Sequence, residues 1–182
     1  EMGPLITPEH QEKVRTYVDL GVEEGAELVV DGRSVTVAGH ENGAFIGGCL
    51  FDRVTADMRI YREEIFGPVV TIYVYKDEDL EEALDLCENT SNYALTGAIF
   101  AGKREALLHM ENKLRYSAGN LYVNDKTTGA FVGMQPFGGA RGSGTNEKVG
   151  SRQNIMRWTS PRTIKENFNS PTDFRFGLMQ ET

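Results

Sequence analysis

A glycine-rich segment in the last third of the chain has the residue types of a ligand-binding loop. It runs from Ala118 to Asn146 and reads AGNLYVNDKTTGAFVGMQPFGGARGSGTN. Glycine permits positive φ and lets the backbone approach a small molecule closely. Backbone N–H groups around Gly129 and Ala130 suit a carboxylate, because amide dipoles bind an anion without a full positive charge. Phe137 would then cover the aliphatic part of the ligand, whereas the alternative is a structural turn with Phe137 buried.

A second candidate site lies at residues 60–68, IYREEIFGP. Two acids, Glu63 and Glu64, precede the bulky aromatic Phe66 and a chain-turning Gly-Pro pair. A carboxylate accepts hydrogen bonds only, so it can bind two vicinal ribose hydroxyls, and an aromatic ring can lie against a nicotinamide. The alternative is a solvated pair of glutamates with Phe66 packed in the core.

The elements before this second site are predicted to be one helix and several short strands. Thr7-Pro8-Glu9 supplies a hydroxyl cap, a proline in the first turn and an acid, and Gly25 offers a stop. Strands are predicted at residues 28–30 and 44–51, with residues 34–37 pairing back weakly on the first.

From Pro68 onward the pattern becomes regular. We predict a strand at 69–75, a helix at 80–87, a strand at 96–101, a helix at 103–114 and a strand at 120–124. Strand–helix–strand–helix–strand order predicts an α/β fold, a parallel sheet with flanking helices. Ligands of such sheets bind at the carboxyl ends of the strands. The glycine-rich segment opens after the last predicted strand, so a site is expected there.

The final part of the chain differs from what precedes it. Residues 157–168, RWTSPRTIKENF, are predicted to be extended, and Pro161 makes them an edge strand that needs a partner. The remaining residues, NSPTDFRFGLMQET, are predicted to form a surface arm.

Composition restricts the class of function. The 182 residues are 40% hydrophobic and 25% charged, with a net charge of −8. This charge argues against nucleic acid and anionic membranes as partners, since both favour excess Lys and Arg. No apolar run approaches the roughly 18–20 residues that span a bilayer. The opening EMGPLITPEH lacks the features of a signal peptide, so we expect a protein that is not secreted.

Cysteine and histidine usage does not indicate a metal site or a disulfide. The two cysteines, Cys49 and Cys87, lie in apolar surroundings without CxxC spacing, and both are predicted to be buried thiols. The three histidines are scattered and match no metal-ligand spacing.

Both candidate sites resemble motifs of the aldehyde dehydrogenase superfamily. In its EEIFGP motif the second Glu holds the nicotinamide ribose of NAD and the Phe lies beside the ring, which implies these roles for Glu64 and Phe66. NDKTTGAFVG and PFGGARGSGTN are similar to the branch that oxidises L-glutamate γ-semialdehyde, the 1-pyrroline-5-carboxylate dehydrogenases. In that branch a Gly-Ser or Gly-Ala pair and the Phe of PFGG bind the α-carboxylate end of the substrate. Gly129, Ala130 and Phe137 are the matching residues.

The resemblance changes along the chain. Residues 1–68 resemble methylmalonate-semialdehyde dehydrogenases, which use CoA, and the resemblance to the glutamate-semialdehyde branch begins at about residue 70. The superfamily attacks the aldehyde with a cysteine thiolate, passes hydride to NAD and hydrolyses the thioester. Its nucleophile lies upstream of the region where EMGPLIT aligns, and neither Cys49 nor Cys87 fits it. The chain is therefore expected to be the later part of such an enzyme and inactive alone.

The resemblance also implies an organisation and a set of partners. Residues 1–156 would form the later part of the catalytic domain, and residues 157–182 an oligomerisation strand and C-terminal arm. The expected partners are NAD, a small aldehyde, the missing N-terminal portion and further copies of the enzyme, in the cytoplasm or mitochondrial matrix. The alternatives are a CoA-dependent methylmalonate-semialdehyde enzyme and, in another class, a non-catalytic ligand-binding or assembly module.

Overall fold

The computed structural model describes residues 2–126, 131, 134–169, 171–176 and 179. The helices within this part are α1 (Pro8–Glu23), α2 (Arg59–Arg62), α3 (Leu80–Asn89), α4 (Arg104–Lys113) and α5 (Arg152–Arg157), with a 3₁₀ turn at Asp77–Asp79. The strands are β1 (Glu27–Val30), β2 (Cys49–Asp52), β3 (Val69–Thr71), β4 (Tyr93–Ala94), β5 (Thr96–Ile99), β6 (Asn120–Val123) and β7 (Ala140–Arg141).

Helix α1 begins and ends where its sequence predicts. The Thr7 side chain accepts a hydrogen bond of 3.1 Å from the His10 N–H, which satisfies one of the free donors at the helix start. Gly25 follows the last turn with φ +91°, a left-handed conformation that glycine adopts without strain. One face of the helix carries Val14 and Val18, both completely buried.

The first sheet has the order β1–β2–β3, with β1 antiparallel and β3 parallel to β2. Helix α1 packs on this sheet, and Phe51 of β2 is fully buried between them. The buried residues around it form the first apolar cluster: Val14, Val18, Ala26, Ile46, Cys49, Phe51, Val54, Met58, Ile60 and Ile65. Residues 63–68 pack on this cluster, because Ile65 belongs to it.

Strands β5 and β6 form the parallel pair that the strand–helix–strand pattern predicts. Their register runs from Thr96 opposite Asn120 to Ile99 opposite Val123. Helix α4 connects them, and a second apolar cluster, Leu84, Ile99, Leu107 and Leu114, joins α3 and α4 to this pair. The α/β class is thus confirmed.

Several predicted strands are shorter than expected. The strand predicted at 69–75 ends at Thr71, because β2 ends at Asp52 and residues 73–75 pair with no strand in the described part of the chain. The strand predicted at 44–51 starts only at Cys49. Residues 34–37 form no strand. The Val35 N–H donates to the Gly32 carbonyl oxygen at 3.2 Å, which is a turn contact and not a strand pairing.

The described strands also do not form one continuous parallel sheet. Strand β3 pairs with β2 rather than joining β5, and the two-residue strands β4 and β7, which were not predicted, form a separate antiparallel pair. Short strands without an alternating pattern give no sequence signal, which explains why β4 and β7 were missed.

Helix α5 was also not predicted, and Arg157, expected to open an extended segment, ends this helix. Residues 158–168 are assigned neither to a helix nor to a strand, and all of them are exposed. No helix in the described part of the chain is long and apolar enough to cross a bilayer.

Candidate functional site

The motif turn, residues 63–68, is positioned by the two helices that precede it. The carboxylate of Glu24 accepts hydrogen bonds from the N–H groups of Arg59 at 2.9 Å and Ile60 at 3.4 Å, so it caps the start of α2. Downstream, the backbone of Gly67 lies against Val14 of α1, where a Cβ on residue 67 would approach the Val14 Cγ2 to 2.5 Å. Only glycine permits this approach of the turn to the helix.

The first acid of the turn, Glu63, is fully engaged by neighbouring side chains. The Arg59 Nε donates to its Oε1 at 2.8 Å, and the Tyr17 hydroxyl donates to its Oε2 at 2.5 Å. These hydrogen bonds, the Arg59 bond foremost, lower the pKa of Glu63 to about 2. Glu63 therefore stays ionised and serves to fix the turn on α1 and α2.

The second acid, Glu64, has the opposite surroundings. Its side chain is exposed, and its carboxylate has no hydrogen-bond or ion-pair partner among the residues that the structure describes. The next residue, Ile65, is buried in the first apolar cluster. The turn thus directs Ile65 inward and leaves both oxygens of Glu64 free to accept hydrogen bonds from a ligand.

Phe66 does not pack in the core, so the structural alternative for this residue is wrong. Its side chain is 75% exposed, and its φ of +62° lies in the left-handed region that bulky residues rarely adopt. Its carbonyl oxygen lies 2.7 Å from the His10 Nε2, which donates this hydrogen bond. The ring is therefore accessible to a ligand although the backbone that carries it is strained.

The glycine-rich segment is described only in part. Gly129 and Ala130 lie outside the described residues, so their proposed contact with a carboxylate stays a prediction. Phe137 is half-buried and forms an isolated antiparallel bridge with Val149. Within the described chain no hydrogen bond or ring contact joins Phe137 to Glu64 or Phe66.

Arg141, which could in principle neutralise an anionic ligand, is already occupied. Its guanidinium donates to the Glu88 carbonyl oxygen at 2.8 Å and to the Glu88 carboxylate. The hydroxyl of Ser117 contacts the same carboxylate. Arg141 therefore ties the glycine-rich segment to α3.

A wide groove brings the two motif regions to one surface. It has a volume of about 720 Å³ and lies between the α2 region and the β4 region. Its lining residues are Asp57, Arg59, Arg62, Glu63, Thr90, Ser91, Asn92, Tyr93 and Gly142. Glu63 and Gly142 thus share a groove that Glu64 and Phe66 do not line.

Neither cysteine has the surroundings of a nucleophile at these sites. Cys49 is buried, as expected, and its Sγ accepts a hydrogen bond of 3.3 Å from the Gly32 N–H. Cys87 is exposed, so the prediction of burial was wrong: on α3 it is Leu84 that belongs to the apolar cluster. Among the described residues, no group of three or more His, Cys, Asp or Glu side chains could hold a metal ion.

Sequence reasoning missed the side chains that hold these loops in place. His10 and Tyr17 support the motif turn from α1, and Asn120 and Lys148 bond to the turn around Phe137. Tyr17 offers a weak signal, because a tyrosine at a helix position still carries a hydroxyl that needs a partner. The other three are polar residues in ordinary contexts, and only the fold brings them to the sites.

Comparison with known proteins gives this geometry a context. The model of the aldehyde dehydrogenase family matches residues 1–164. The chain is 48% identical over 167 residues to the mitochondrial delta-1-pyrroline-5-carboxylate dehydrogenase of Dictyostelium discoideum, covering 91% of this chain and 29% of that protein. That alignment is too long to be confined to the part after residue 70.

Solved structures extend the comparison to the fold. The delta-pyrroline-5-carboxylate dehydrogenase of Mycobacterium tuberculosis, bound with NAD and cobalamin, has a TM-score of 0.76 at 41% identity and covers 98% of this chain and 32% of that one. A protein described as a methylmalonate-semialdehyde dehydrogenase, from Sinorhizobium meliloti and complexed with NAD, has a TM-score of 0.69 at 40% identity. It covers 78% of this chain and 28% of that one.

The chain spans less than a third of the length of the curated relatives that it matches. Its fold, its EEIFGP motif and the match over residues 1–164 nevertheless lead to one assignment. The chain belongs to the aldehyde dehydrogenase family.

Proposed function

We propose that this chain is the later part of an NAD-dependent aldehyde dehydrogenase that oxidises L-glutamate γ-semialdehyde to L-glutamate in proline catabolism. The observation that carries the proposal is the 48% identity, over 91% of the chain, to a delta-1-pyrroline-5-carboxylate dehydrogenase. The overall reaction consumes the aldehyde, water and NAD and yields the carboxylate, NADH and protons.

The motif turn fits the nicotinamide end of NAD, which when bound accepts the hydride from the substrate. Glu64 is exposed and unpaired within the described chain, so its two oxygens are available for the vicinal hydroxyls of the ribose. Phe66 holds an exposed ring two residues away. Their role is to orient the nucleotide rather than to transfer a proton.

The glycine-rich segment would take the amino-acid end of the substrate. Phe137 has part of its ring accessible and would cover the aliphatic chain of the aldehyde. The N–H groups of Gly129 and Ala130 would bind the α-carboxylate, as the resemblance implies. This division leaves the aldehyde carbon between the two loops, where the chemistry must take place.

The thiolate that attacks the aldehyde is proposed to come from an N-terminal portion of the same enzyme. Cys49 is a buried residue of β2 and Cys87 lies exposed on α3, and neither lies in the motif turn or the glycine-rich segment. Without a thiolate there is no covalent step. The chain by itself is therefore expected to be inactive.

The proposal is tested by NADH formation from glutamate γ-semialdehyde and NAD, followed by absorbance, in the full-length enzyme and in the chain alone. Turnover in the full-length enzyme and none in the folded chain alone is the expected result. No turnover of this aldehyde in a folded full-length enzyme that oxidises another aldehyde would overturn the substrate assignment.

The role of Glu64 is tested by Glu64→Gln. This change removes the negative charge and replaces one of the two carboxylate oxygens that would accept hydrogen bonds from the ribose hydroxyls. We expect the KM for NAD to rise roughly tenfold, with the KM for the aldehyde unchanged. Glu78→Gln is the matched control, because Glu78 is an exposed acid whose only ion-pair partner among the described residues is Lys76. Equal KM values for NAD in the two variants would contradict the role.

A second candidate function is the CoA-dependent oxidation of methylmalonate semialdehyde. It is favoured by the 40% identity to the protein described as a methylmalonate-semialdehyde dehydrogenase. Assaying both aldehydes with and without CoA separates the two: formation of an acyl-CoA product would support the second candidate. A full-length gene that lacks the nucleophilic cysteine would instead indicate a non-catalytic binding or assembly module.

We propose further that residues 157–182 form a separate unit, an oligomerisation strand and arm beside the catalytic part at 1–156. Two large side chains, Trp158 and Phe168, are 84% and 92% exposed, which is costly for apolar groups unless a subunit covers them. A Trp158→Glu variant is expected to dissociate the oligomer in sedimentation velocity.

For localisation we propose the cytoplasm or the mitochondrial matrix, the latter supported by the relative named mitochondrial.

A further inference from the structure

The turn that contains Phe137 is bound on both sides by one side chain. The Asn120 Nδ2 donates to the Pro136 carbonyl oxygen at 3.0 Å, and the Asn120 Oδ1 accepts from the Gly138 N–H at 3.1 Å. Asn120 is the first residue of β6, which pairs in parallel with β5. A single amide thus fixes the residues before and after Phe137 to the second parallel pair.

Phe137 itself is held by the segment that carries Lys148. Its N–H donates to the Val149 carbonyl oxygen at 3.0 Å, and the Val149 N–H donates back at 2.8 Å. Lys148 stands next to Val149 with φ +54°, a left-handed conformation that is unfavourable for a residue other than glycine. Its persistence at this position indicates that other contacts of Lys148 offset the strain.

Those contacts are three oxygen atoms around its ammonium group. The Lys148 Nζ donates to the Gly138 carbonyl oxygen at 2.8 Å, to the Asn120 Oδ1 at 3.3 Å and to the Gly119 carbonyl oxygen. No carboxylate pairs with Lys148 in the described chain. The partly buried ammonium therefore binds three neutral oxygens instead of a carboxylate.

The reason for a cation here is the close approach of two backbone segments. A Cβ on Gly119 would lie 2.1 Å from the Gly138 carbonyl oxygen, so the two chains touch at this point. Close approach brings carbonyl dipoles of both segments to one place, and a positive charge offsets their mutual repulsion. Partial burial lowers the pKa of Lys148, but the three acceptors satisfy its protons.

We propose that Lys148, together with Asn120, is a positioning residue for the substrate: it fixes Phe137 against the start of β6. This inference rests on the proposed function, in which Phe137 covers the aliphatic chain of the aldehyde. Lys148 itself touches neither substrate nor cofactor. Its loss should therefore weaken aldehyde binding and leave the nucleotide site, held by α1, unchanged.

The test compares Lys148→Met with the wild type in the full-length enzyme. Methionine keeps a similar length but donates no hydrogen bond. We expect the KM for the aldehyde to rise about tenfold or more, while the KM for NAD stays within about twofold. Lys76→Met is the matched control, because Lys76 is an exposed lysine whose only partner in the described chain is Glu78, and it should change neither constant.

Hydrogen exchange separates this inference from the proposed function. In Lys148→Met the amides of Phe137 and Val149 should exchange about tenfold faster or more, because their bridge loses its support, whatever substrate the enzyme uses. Unchanged exchange at these two amides would overturn the positioning role. If exchange is faster but the enzyme does not oxidise glutamate γ-semialdehyde, the positioning role of Lys148 is retained and only the substrate assignment is overturned.

Asn120→Asp provides a second variant if Lys148→Met does not fold. It keeps the oxygen that faces Lys148 and Gly138 but loses the donor to Pro136. We expect faster exchange at Phe137 and a raised KM for the aldehyde, with the KM for NAD unchanged. A parallel rise in both KM values would indicate a general structural effect and contradict the inference.

Discussion

The motif turn and the glycine-rich segment are both loops held by hydrogen bonds, but the motif turn also packs on an apolar cluster. The motif turn lies on an apolar foundation: Ile65 belongs to the first apolar cluster, and Gly67 touches Val14. The turn around Phe137 is held by hydrogen bonds from Asn120 and Lys148, and no residue after Val123 in the described chain belongs to either apolar cluster. The first loop is therefore expected to open only with the core, and the second to open locally.

Removing the foundation of the motif turn should have the largest effect. Phe51→Ala empties the centre of the first apolar cluster and is expected to lower the free energy of unfolding by about 3–5 kcal/mol. Urea unfolding of the full-length protein measures this loss. Phe100→Ala is the matched control, because Phe100 is exposed in this chain and its loss should cost far less.

The same variant tests whether the two loops are stabilised independently. If the two are held independently, amide exchange at Phe137 in Phe51→Ala should stay close to the wild-type rate under conditions where the protein remains folded. Loss of protection there, in step with the motif turn, would show that both loops depend on one core.

A methyl group at residue 119 is expected to disrupt the turn around Phe137. Its Cβ would lie 2.1 Å from the Gly138 carbonyl oxygen, and a backbone atom cannot move aside as a flexible side chain can. We expect Gly119→Ala to lower the free energy of unfolding by about 1–3 kcal/mol. Gly102→Ala is the control: no atom lies within 4 Å of its Cβ, so stability should be equal or slightly higher. Equal stability of the two variants would contradict the close approach.

The smallest expected effect concerns the charges on the motif turn. The pKa of Glu63 is about 2 in the folded protein, lowered from 4.5 by the hydrogen bonds from Arg59 and then Tyr17. Because the folded pKa is depressed, the contribution to stability is complete above pH 4.5 and is lost as the pH falls towards 2.

Unfolding midpoints of the wild type and Glu63→Gln across this range check the sign. The wild type should be the more stable at neutral pH, and the difference should shrink as the pH falls from 4.5 towards 2. Tyr17→Phe, which removes one of the two donors, should lie between them. A difference that is constant with pH would show that Glu63 acts through packing and not through its charge.

Sequence reasoning predicted what depends on local pattern. The cap at Thr7, the stop at Gly25 and the β5–α4–β6 unit follow from periodicity and turn residues, and the structure confirms them. The length of β3 could not be predicted, because it depends on where its partner β2 ends, and that partner is 17 residues or more away in sequence.

The candidate sites show the same contrast between local sequence pattern and contacts distant in sequence. Glu64 and Phe66 were identified as residues from a motif, but the surroundings that distinguish Glu63 from Glu64 come from Tyr17, which lies 46 residues before Glu63. The role of Lys148 likewise depends on Gly119, 29 residues earlier. Contacts over such separations follow from the fold as a whole.

The left-handed backbone of Phe66 has a consequence for protein engineering. Glycine or asparagine adopts φ of +62° with less strain than phenylalanine, and the exposed ring contributes little packing. A laboratory screen that rewards heat resistance alone would therefore tend to replace Phe66 and discard the ring proposed to face the cofactor. Selection for thermostability should therefore include an activity assay in every round, because a change at residue 66 is expected to raise stability and, under the proposed role of Phe66, to weaken cofactor binding.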